Sequence, residues 1–411
     1  MTKRVSLFSP EACNTTSGVL LKSHLLKRQI ISSLAGESLL TVAELSGKLN
    51  VSTPTITKLI SELVKDEYIR EMGKIETTGG RRPASYALKE DAGYFLGVEA
   101  ANGSLRFALC DMNSEIVSQY TADEVYTMSS AETLDIIVEN IEKAIASFGI
   151  SKDKILGQGI TVRGRVDSVG GFSYSFLNMG STPLSTIMYE KTGIRTIVEN
   201  DTRAVAFAEY VINGDARDEN RLFIYADRGI GVGIIIGGEL YYGKSGFSGE
   251  FGHIPMFDNQ IICHCGKKGC LETEASGLAL EGALIKNVKE GRSTILQSKL
   301  DTQDTVEFHE IVTAANNEDV LSIELIGAIG EKLGRSIAIL MNLFNPESVI
   351  IGGGLSKAGD YLLLPIRTAL SRYSLSLVNN DSKIRLSALD DNGGVVGAAL
   401  LTRHHILCEE V

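Results

Sequence analysis

The stretch Cys263-His-Cys-Gly-Lys-Lys-Gly-Cys270-Leu-Glu272 gathers three of the chain's six cysteines into eight residues, and His253 precedes it. Three thiolates and one imidazole are the donor set of a closed tetrahedral Zn²⁺ site. Gly266 and Gly269 allow the chain to turn tightly around an ion. With all four positions filled by protein, zinc is expected to be structural and not a Lewis acid. His264 competes with His253 for the fourth position, and spacing alone does not choose between them. Cys13, Cys110 and Cys408 are scattered. An odd cluster of this kind reads as metal ligation in a reducing compartment and not as a disulfide framework.

Outward from this loop the pattern is α/β. Residues 95–100, 104–111 and 115–120 read as three hairpin-linked strands, with turns at Asn102-Gly103 and 112–114. A helix follows over 131–148. Residues 222–227, a Gly-bearing turn at 229–233 and a strand at 234–240 repeat the arrangement. Two lobes that each open on such a hairpin imply an internal duplication.

The first 90 residues differ in character. Residues 1–22 read as a mobile arm, and a helical period starts at Leu25 with Leu26, Ile30 and Leu34. Thr41-Val-Ala-Glu44 is a capping box that opens a short helix. Asn50-Val-Ser is a turn, and Thr53-Pro54 starts the next helix with Thr53 as its cap. Ile56, Leu59, Ile60 and Leu63 form that helix's buried stripe. Thr55, Thr57, Lys58 and Ser61 face outward. Two short strands follow, with Gly79-Gly80-Arg81-Arg82 between them. Two helices, a turn and a Gly-rich hairpin make a winged helix-turn-helix. Thr55, Thr57, Lys58 and Ser61 are the candidate DNA contacts of the recognition helix, and Arg81 and Arg82 those of the wing.

Charge and hydropathy agree with this division. Residues 1–90 hold 13 Lys and Arg against 9 Asp and Glu, whereas the remainder holds 27 against 42. A mildly basic head on an acidic body suits a small DNA-binding module. No apolar run approaches the roughly 18–20 residues of a membrane span, and the N-terminus lacks the apolar stretch of a secretion signal. A cytoplasmic protein without a membrane partner is expected.

These residues resemble the ROK family of repressors, open reading frames and kinases. Cys263-His-Cys-Gly-Lys-Lys-Gly-Cys-Leu-Glu272 is similar to its Cys-x-Cys-Gly-x-x-Gly-Cys-x-Glu signature, and Gly249-Glu-Phe-Gly-His253 to its Glu-x-Gly-His element. Val198-Glu-Asn-Asp201 and Phe344-Asn-Pro-Glu…Gly353-Gly354 resemble two further segments. The head resembles that of the family's xylose, glucose and N-acetylglucosamine regulators. The resemblance implies an α/β fold: an N-terminal winged helix-turn-helix plus a two-lobed actin-like ATPase (ribonuclease H-like) sugar-kinase-type domain. The head would occupy 1–90 and the sensor 91–411, with lobe one over about 91–199 plus 388–411 and lobe two over about 200–387. It further implies Asp201 at the kinase-type base position, sugar contacts from Asn178, Asn200, Asp201, Glu250, His253 and Glu272, and zinc on His253, Cys263, Cys265 and Cys270. Such a ring of carboxylates and amides matches a ring of sugar hydroxyls.

The chain departs from a family kinase at both phosphate loops. Where kinases carry Asp-x-Gly-Gly-Thr, this sequence has Glu99-Ala-Ala-Asn102-Gly. Where they carry Gly-Thr-Gly-x-Gly, it has Asp227-Arg228-Gly-Ile-Gly231. Backbone that cradles phosphate tolerates neither extra side chains nor a carboxylate. The expectation is therefore a sugar-responsive transcription regulator, of repressor type, that senses and does not phosphorylate. Its partners would be operator DNA, a sugar or sugar-phosphate effector, and further copies of itself in a homodimer or homotetramer. The alternative is an ATP-dependent hexose or N-acetylhexosamine kinase with a regulatory head. Arg228, Arg163 and Arg165 are positions where a phosphorylated sugar could be received.

Overall fold

The computed structural model describes residues 7–8, 18–74, 83–101, 104–122, 131–175, 177–214, 218–389 and 391–409. Residues 1–204 with 394–411 form one compact unit and residues 205–393 the other. The DNA-reading head therefore belongs to the same unit as the first lobe. The two units divide inside the helix Asp201–Asn213, between residues 204 and 205, and again between 393 and 394.

The head contains α1 (Gly18–Gly36), α2 (Val42–Leu49) and α3 (Thr53–Lys65), with β1 (Leu40–Thr41), β2 (Ile69–Lys74) and β3 (Ala84–Leu88) in the order β1-β3-β2. Its core includes most of the apolar stripe expected from helical spacing: Ile30, Leu34, Leu45, Ile56, Leu59, Ile60 and Leu63 are buried, Leu26 is only partly so, and Ile31 joins them. The capping box forms as read. The Glu44 backbone N–H donates to Thr41 Oγ1 at 3.3 Å, and the Thr41 N–H donates to Glu44 Oε2 at 2.7 Å. Thr41→Ala should cost about 1 kcal/mol, read as faster amide exchange across α2. An unchanged exchange rate would count against the cap's contribution.

Three expectations are corrected in the head. The cap of α3 is Ser52, not Thr53, which already lies in the helix; no side-chain bond closes that cap. Helix α1 starts at Gly18, well before Leu25. Leu7 and Phe8 are not part of a mobile arm: both are buried, with Phe8 edge-on to Tyr68 and the Leu7 N–H donating to the Tyr68 hydroxyl at 3.2 Å. The wing tip, with Arg81 and Arg82, lies outside the described residues.

The first lobe is built on a five-stranded sheet. Its strands are β4 (Tyr94–Ala101), β5 (Ser104–Asp111), β6 (Ile116–Ala122), β7 (Ile155–Val162) and β10 (Thr196–Asn200), in the order β10-β7-β4-β5-β6. The short pair β8 (Val166–Asp167) and β9 (Phe172–Ser173) stands apart. The expected helix forms over Ala131–Phe148 and buries Ile137 and Ile141.

The second lobe repeats the plan with β11 (Arg221–Ala226), β12 (Ile230–Ile236), β13 (Glu239–Leu240), β14 (Ser348–Gly352) and β15 (Lys383–Leu386), in the order β13-β12-β11-β14-β15. In each lobe three antiparallel strands in a meander are followed by two parallel ones, as the duplication required. The Gly-bearing turn expected at 229–233 is corrected: from Ile230 the chain is already strand, and Gly231 and Gly233 pair with Tyr225 and Phe223. The chain thus has the winged helix-turn-helix and two-lobed actin-like fold that its sequence implied. Among the described residues no helix is long and apolar enough to cross a membrane.

Candidate functional site

In the second lobe the loop from Gly249 to Glu272 folds back on itself. Gly249 has φ 90° and so close a contact with β12 that a Cβ would sit 2.2 Å from Val232 O; only glycine fits there. Isolated bridges, Pro255 to Cys270 and Ile262 to Lys268, then bring the loop's ends together. His253, Cys263, Cys265 and Cys270 converge so that their ligand atoms all lie within 4.8 Å of one another. His253 Nδ1 is 3.6 Å from Cys263 Sγ, and Cys265 Sγ is 3.7 Å from Cys270 Sγ. Bond lengths of about 2.1 Å to nitrogen and 2.3 Å to sulfur imply tetrahedral edges of roughly 3.6 and 3.8 Å. The donor set therefore fits a tetrahedral ion.

Burial pushes the Cys270 thiol up to about 12 and raises that of Cys263. A cation placed among them supplies the charge that holds both as thiolates. His264 Nδ1 lies 3.9 Å from Cys263 Sγ and 2.9 Å from Glu272 Oε1. It belongs to a second possible grouping, with His253 and Glu272. Glu272 is buried, and its Oε2 accepts the Ile230 backbone N–H at 3.1 Å. Glu250 is exposed, with Oε2 3.7 Å from His253 Nε2.

The first lobe carries the other candidates. Strand β10 ends at Asn200, and Asp201 opens the next helix. What holds this turn was missed from the sequence. Glu199 near the end of β10 and Arg203 in the first turn of the next helix, both nearly inaccessible, form an ion pair with Nε–Oε1 2.7 Å, and Ser168 donates to the same oxygen at 2.9 Å. Asn200 Nδ2 donates to Gly164 O and to Asp201 Oδ1, both at 3.0 Å, while its Oδ1 accepts the Arg203 N–H at 3.1 Å. Both amide hydrogens are thus committed within the protein, so Asn200 shapes the turn. Arg163 Nε approaches Asp201 Oδ2 to 4.0 Å. Asn178 is exposed and accepts the Gly180 N–H at 3.0 Å.

The two phosphate-loop positions hold carboxylates turned onto backbone N–H groups. Glu99 is buried beside Arg106, Nε–Oε2 3.1 Å, and accepts a hydrogen bond from the Val395 N–H at the start of the helix Gly393–His404. Burial, above all, pushes its carboxyl up to about 7. In the second lobe Asp227 accepts the Gly354 N–H through Oδ2 and the Arg228 N–H through Oδ1, each at 2.8 Å. Backbone donors of the kind that bind phosphate are thereby already satisfied by internal anions. Asn102 and Gly103 lie outside the described residues.

On the head, Thr55, Thr57, Lys58 and Ser61 are all exposed on α3. The Thr57 and Ser61 hydroxyls donate to the carbonyls of Thr53 and Thr57, and Lys58 lies 4.0 Å from Glu62.

Residues 95–405 match the profile of the ROK family, and residues 24–70 that of a winged helix-turn-helix DNA-binding module. The chain is 30% identical to a glucokinase of Halalkalibacterium halodurans over 313 residues, 75% of this chain and 95% of that one. It is 27% identical to the xylose repressor of Bacillus subtilis over 383 residues, 93% of this chain and 95% of that one, a span that includes most of the head. Among solved structures, a ROK family transcriptional regulator, described as a homolog of the E. coli MLC protein, superposes with a TM-score of 0.80. That structure is 26% identical and covers 94% of this chain and 97% of its own.

Proposed function

The chain belongs to the ROK family, and from that membership we propose that it is a sugar-responsive transcription repressor. The observation that carries the proposal is the winged helix-turn-helix in front of the ROK region, aligned together with it over 93% of the chain with a xylose repressor. The effector is a sugar or sugar phosphate, held by Asn178, Asp201, Glu250, His253 and Glu272, with Asn200 shaping the turn. Zinc on His253, Cys263, Cys265 and Cys270 is structural: it fixes the loop from which Glu250 and Glu272 project. When bound, the ion supplies charge and geometry only; the sugar meets the protein's own carboxylates and imidazole. Thr55, Thr57, Lys58 and Ser61 of α3 face the major groove, with Arg81 and Arg82 on the wing. Copies of the chain assemble as a homodimer or homotetramer on a pseudo-palindrome whose half-sites lie about one helical turn, or a multiple of it, apart.

The test is fluorescence anisotropy of the zinc-loaded protein on DNA fragments from its own genomic neighbourhood, across a salt series. Sub-micromolar binding is expected, and Lys58→Ala should weaken it several-fold and reduce the salt slope by about 1. Absence of binding to every fragment at low salt rejects the reading.

A second reading, an ATP-dependent hexose or N-acetylhexosamine kinase, is favoured by the glucokinase likeness and by Asp201 at the base position. Glu99 and Asp227 argue against it, because each sits on the backbone donors a nucleotide phosphate would need. Sugar-dependent ADP release that disappears in Asp201→Asn would reverse the preference.

A further inference from the structure

The helix Gly393–His404 and the short turn after it join two parts of the first unit that the proposed function must connect. At one end the helix meets the first turn of the helix Asp201–Asn213 and the Glu99 carboxylate. A Cβ on Gly397 would lie 2.0 Å from Ala204 O, in the first turn of the helix that Asp201 opens, and a Cβ on Gly394 would lie 2.4 Å from Glu99 Oε1. Underneath, Gly97 and Gly159 bring β4 and β7 against the same helix, with Cβ positions 2.1 Å from Val395 O and 2.5 Å from Ala398 O. At Gly394 the neighbour is the Glu99 side chain and at Gly159 the Thr402 hydroxyl is nearer still, but at Gly397 and Gly97 the close contact is backbone to backbone, without an intervening side chain. A shift on one side therefore has no rotamer to absorb it.

At the other end the helix is tied to the head through two buried arginines. Arg28 of α1 donates from Nη2 to Ile406 O at 3.2 Å. Arg403 donates from Nε to Met112 O at 2.8 Å and from Nη2 to Ala35 O at 3.4 Å, in the last turn of α1. A guanidinium at a helix C-terminus satisfies a carbonyl that lacks an intrahelical partner and fixes its direction. Arg28 also stands 5.7 Å over the Phe8 ring, which packs on Tyr68 just before β2. The segment His405–Glu409 is a single π-type turn, a local loosening of the helical ladder at the point of attachment.

We propose that the C-terminal helix is the rod through which displacement of the Asn200–Asp201 turn reaches the DNA-reading head, and that Arg28 and Arg403 couple that rod to α1. The inference rests on the reading of Asp201 as part of the effector site. The rod itself requires only that a perturbation at Gly397 or Glu99 be felt in α1, and be felt through Arg28. Arg28 and Arg403 act as positioning residues: they touch neither DNA nor effector.

A double-mutant cycle on the full-length, zinc-loaded protein tests this, read by amide exchange and by affinity for a DNA fragment the wild type binds. Gly397→Ala is expected to change exchange rates in α1–α3 at least about fivefold and DNA affinity by about tenfold. Glu99→Gln, which keeps the shape, is the companion perturbation should Gly397→Ala fail to fold. In an Arg28→Met background the effect of either change on the head should fall to within twofold, while its effect on exchange in the helix Asp201–Asn213 persists. Equal effects on the head with and without Arg28, or an undisturbed head beside a disturbed lobe, would overturn the proposal. Should the wild type bind no DNA, the proposed function fails while the exchange readout still decides the coupling.

Discussion

Cys270→Ser is expected to remove bound zinc and to lower stability by on the order of 3 kcal/mol, at the upper end of what one substitution does. Cys270 is completely buried, its bridge to Pro255 closes the loop, and its sulfur stands 3.7 Å from that of Cys265. A serine oxygen is a poorer zinc ligand and too short to complete the tetrahedron. Loss of the ion frees His253 and the loop that ends at Glu272, so sugar-induced thermal shifts should vanish with the metal. The sign with pH follows from the thiols: they must lose protons to bind, so metal affinity falls as pH falls. Metal analysis by mass spectrometry beside a thermal melt checks this. Wild-type zinc content and melting temperature in Cys270→Ser would refute the closed four-ligand site.

The second large effect is a pH dependence centred on Glu99. Burial raises its folded carboxyl from 4.5 to about 7, against the smaller downward pull of Arg106. Between those values the folded state holds a proton that the unfolded chain releases. The stabilising contribution is therefore complete below about pH 4.5 and is lost as pH rises through about 7. At 1.36 kcal/mol per pH unit the swing is on the order of 3 kcal/mol. Glutamine cannot titrate, so between pH 5 and pH 8 the stability of Glu99→Gln should fall by about that much less than the wild type's. Parallel denaturant titrations at the two pH values decide it, and identical slopes would mean that Glu99 ionises normally. The same experiment bears on sensing: the Glu99 carboxyl occupies the Val395 N–H in the first turn of the helix Gly393–His404, a donor of the kind that binds phosphate.

Much of the molecule is legible in local sequence because its signals act over short distances. The capping box of Thr41 and Glu44 works between residues three apart, and the meanders of both lobes follow from hairpin turns and apolar runs. The metal loop is legible for a related reason: four soft donors in one short segment, with glycines between them, have few other uses. Where local rules compete, spacing alone does not choose between them. Ser52 and Thr53 are equally good caps, and Gly231 and Gly233 suggested a turn where pairing with β11 stabilises a strand.

Other features required partners far apart in the chain. Nothing near Arg28 points to Ile406, and nothing near Arg403 points to Ala35 or Met112. Asn200 reads as a ligand-facing amide until Gly164 O and Arg203 N–H are seen to take up its hydrogen bonds. Glu99 and Asp227 read as repulsive to phosphate, but that each sits on backbone donors is a fact of packing. By itself the sequence determined the head, the two-lobed family fold and a His/Cys cluster that could hold a metal ion, since each is written in residue type and spacing along a continuous segment. Tertiary structure alone decided which polar groups are already hydrogen-bonded within the protein and how the head is tied to its lobe. Those depend on which hydrogen bonds the folded chain has already satisfied, and spacing along a sequence does not record that.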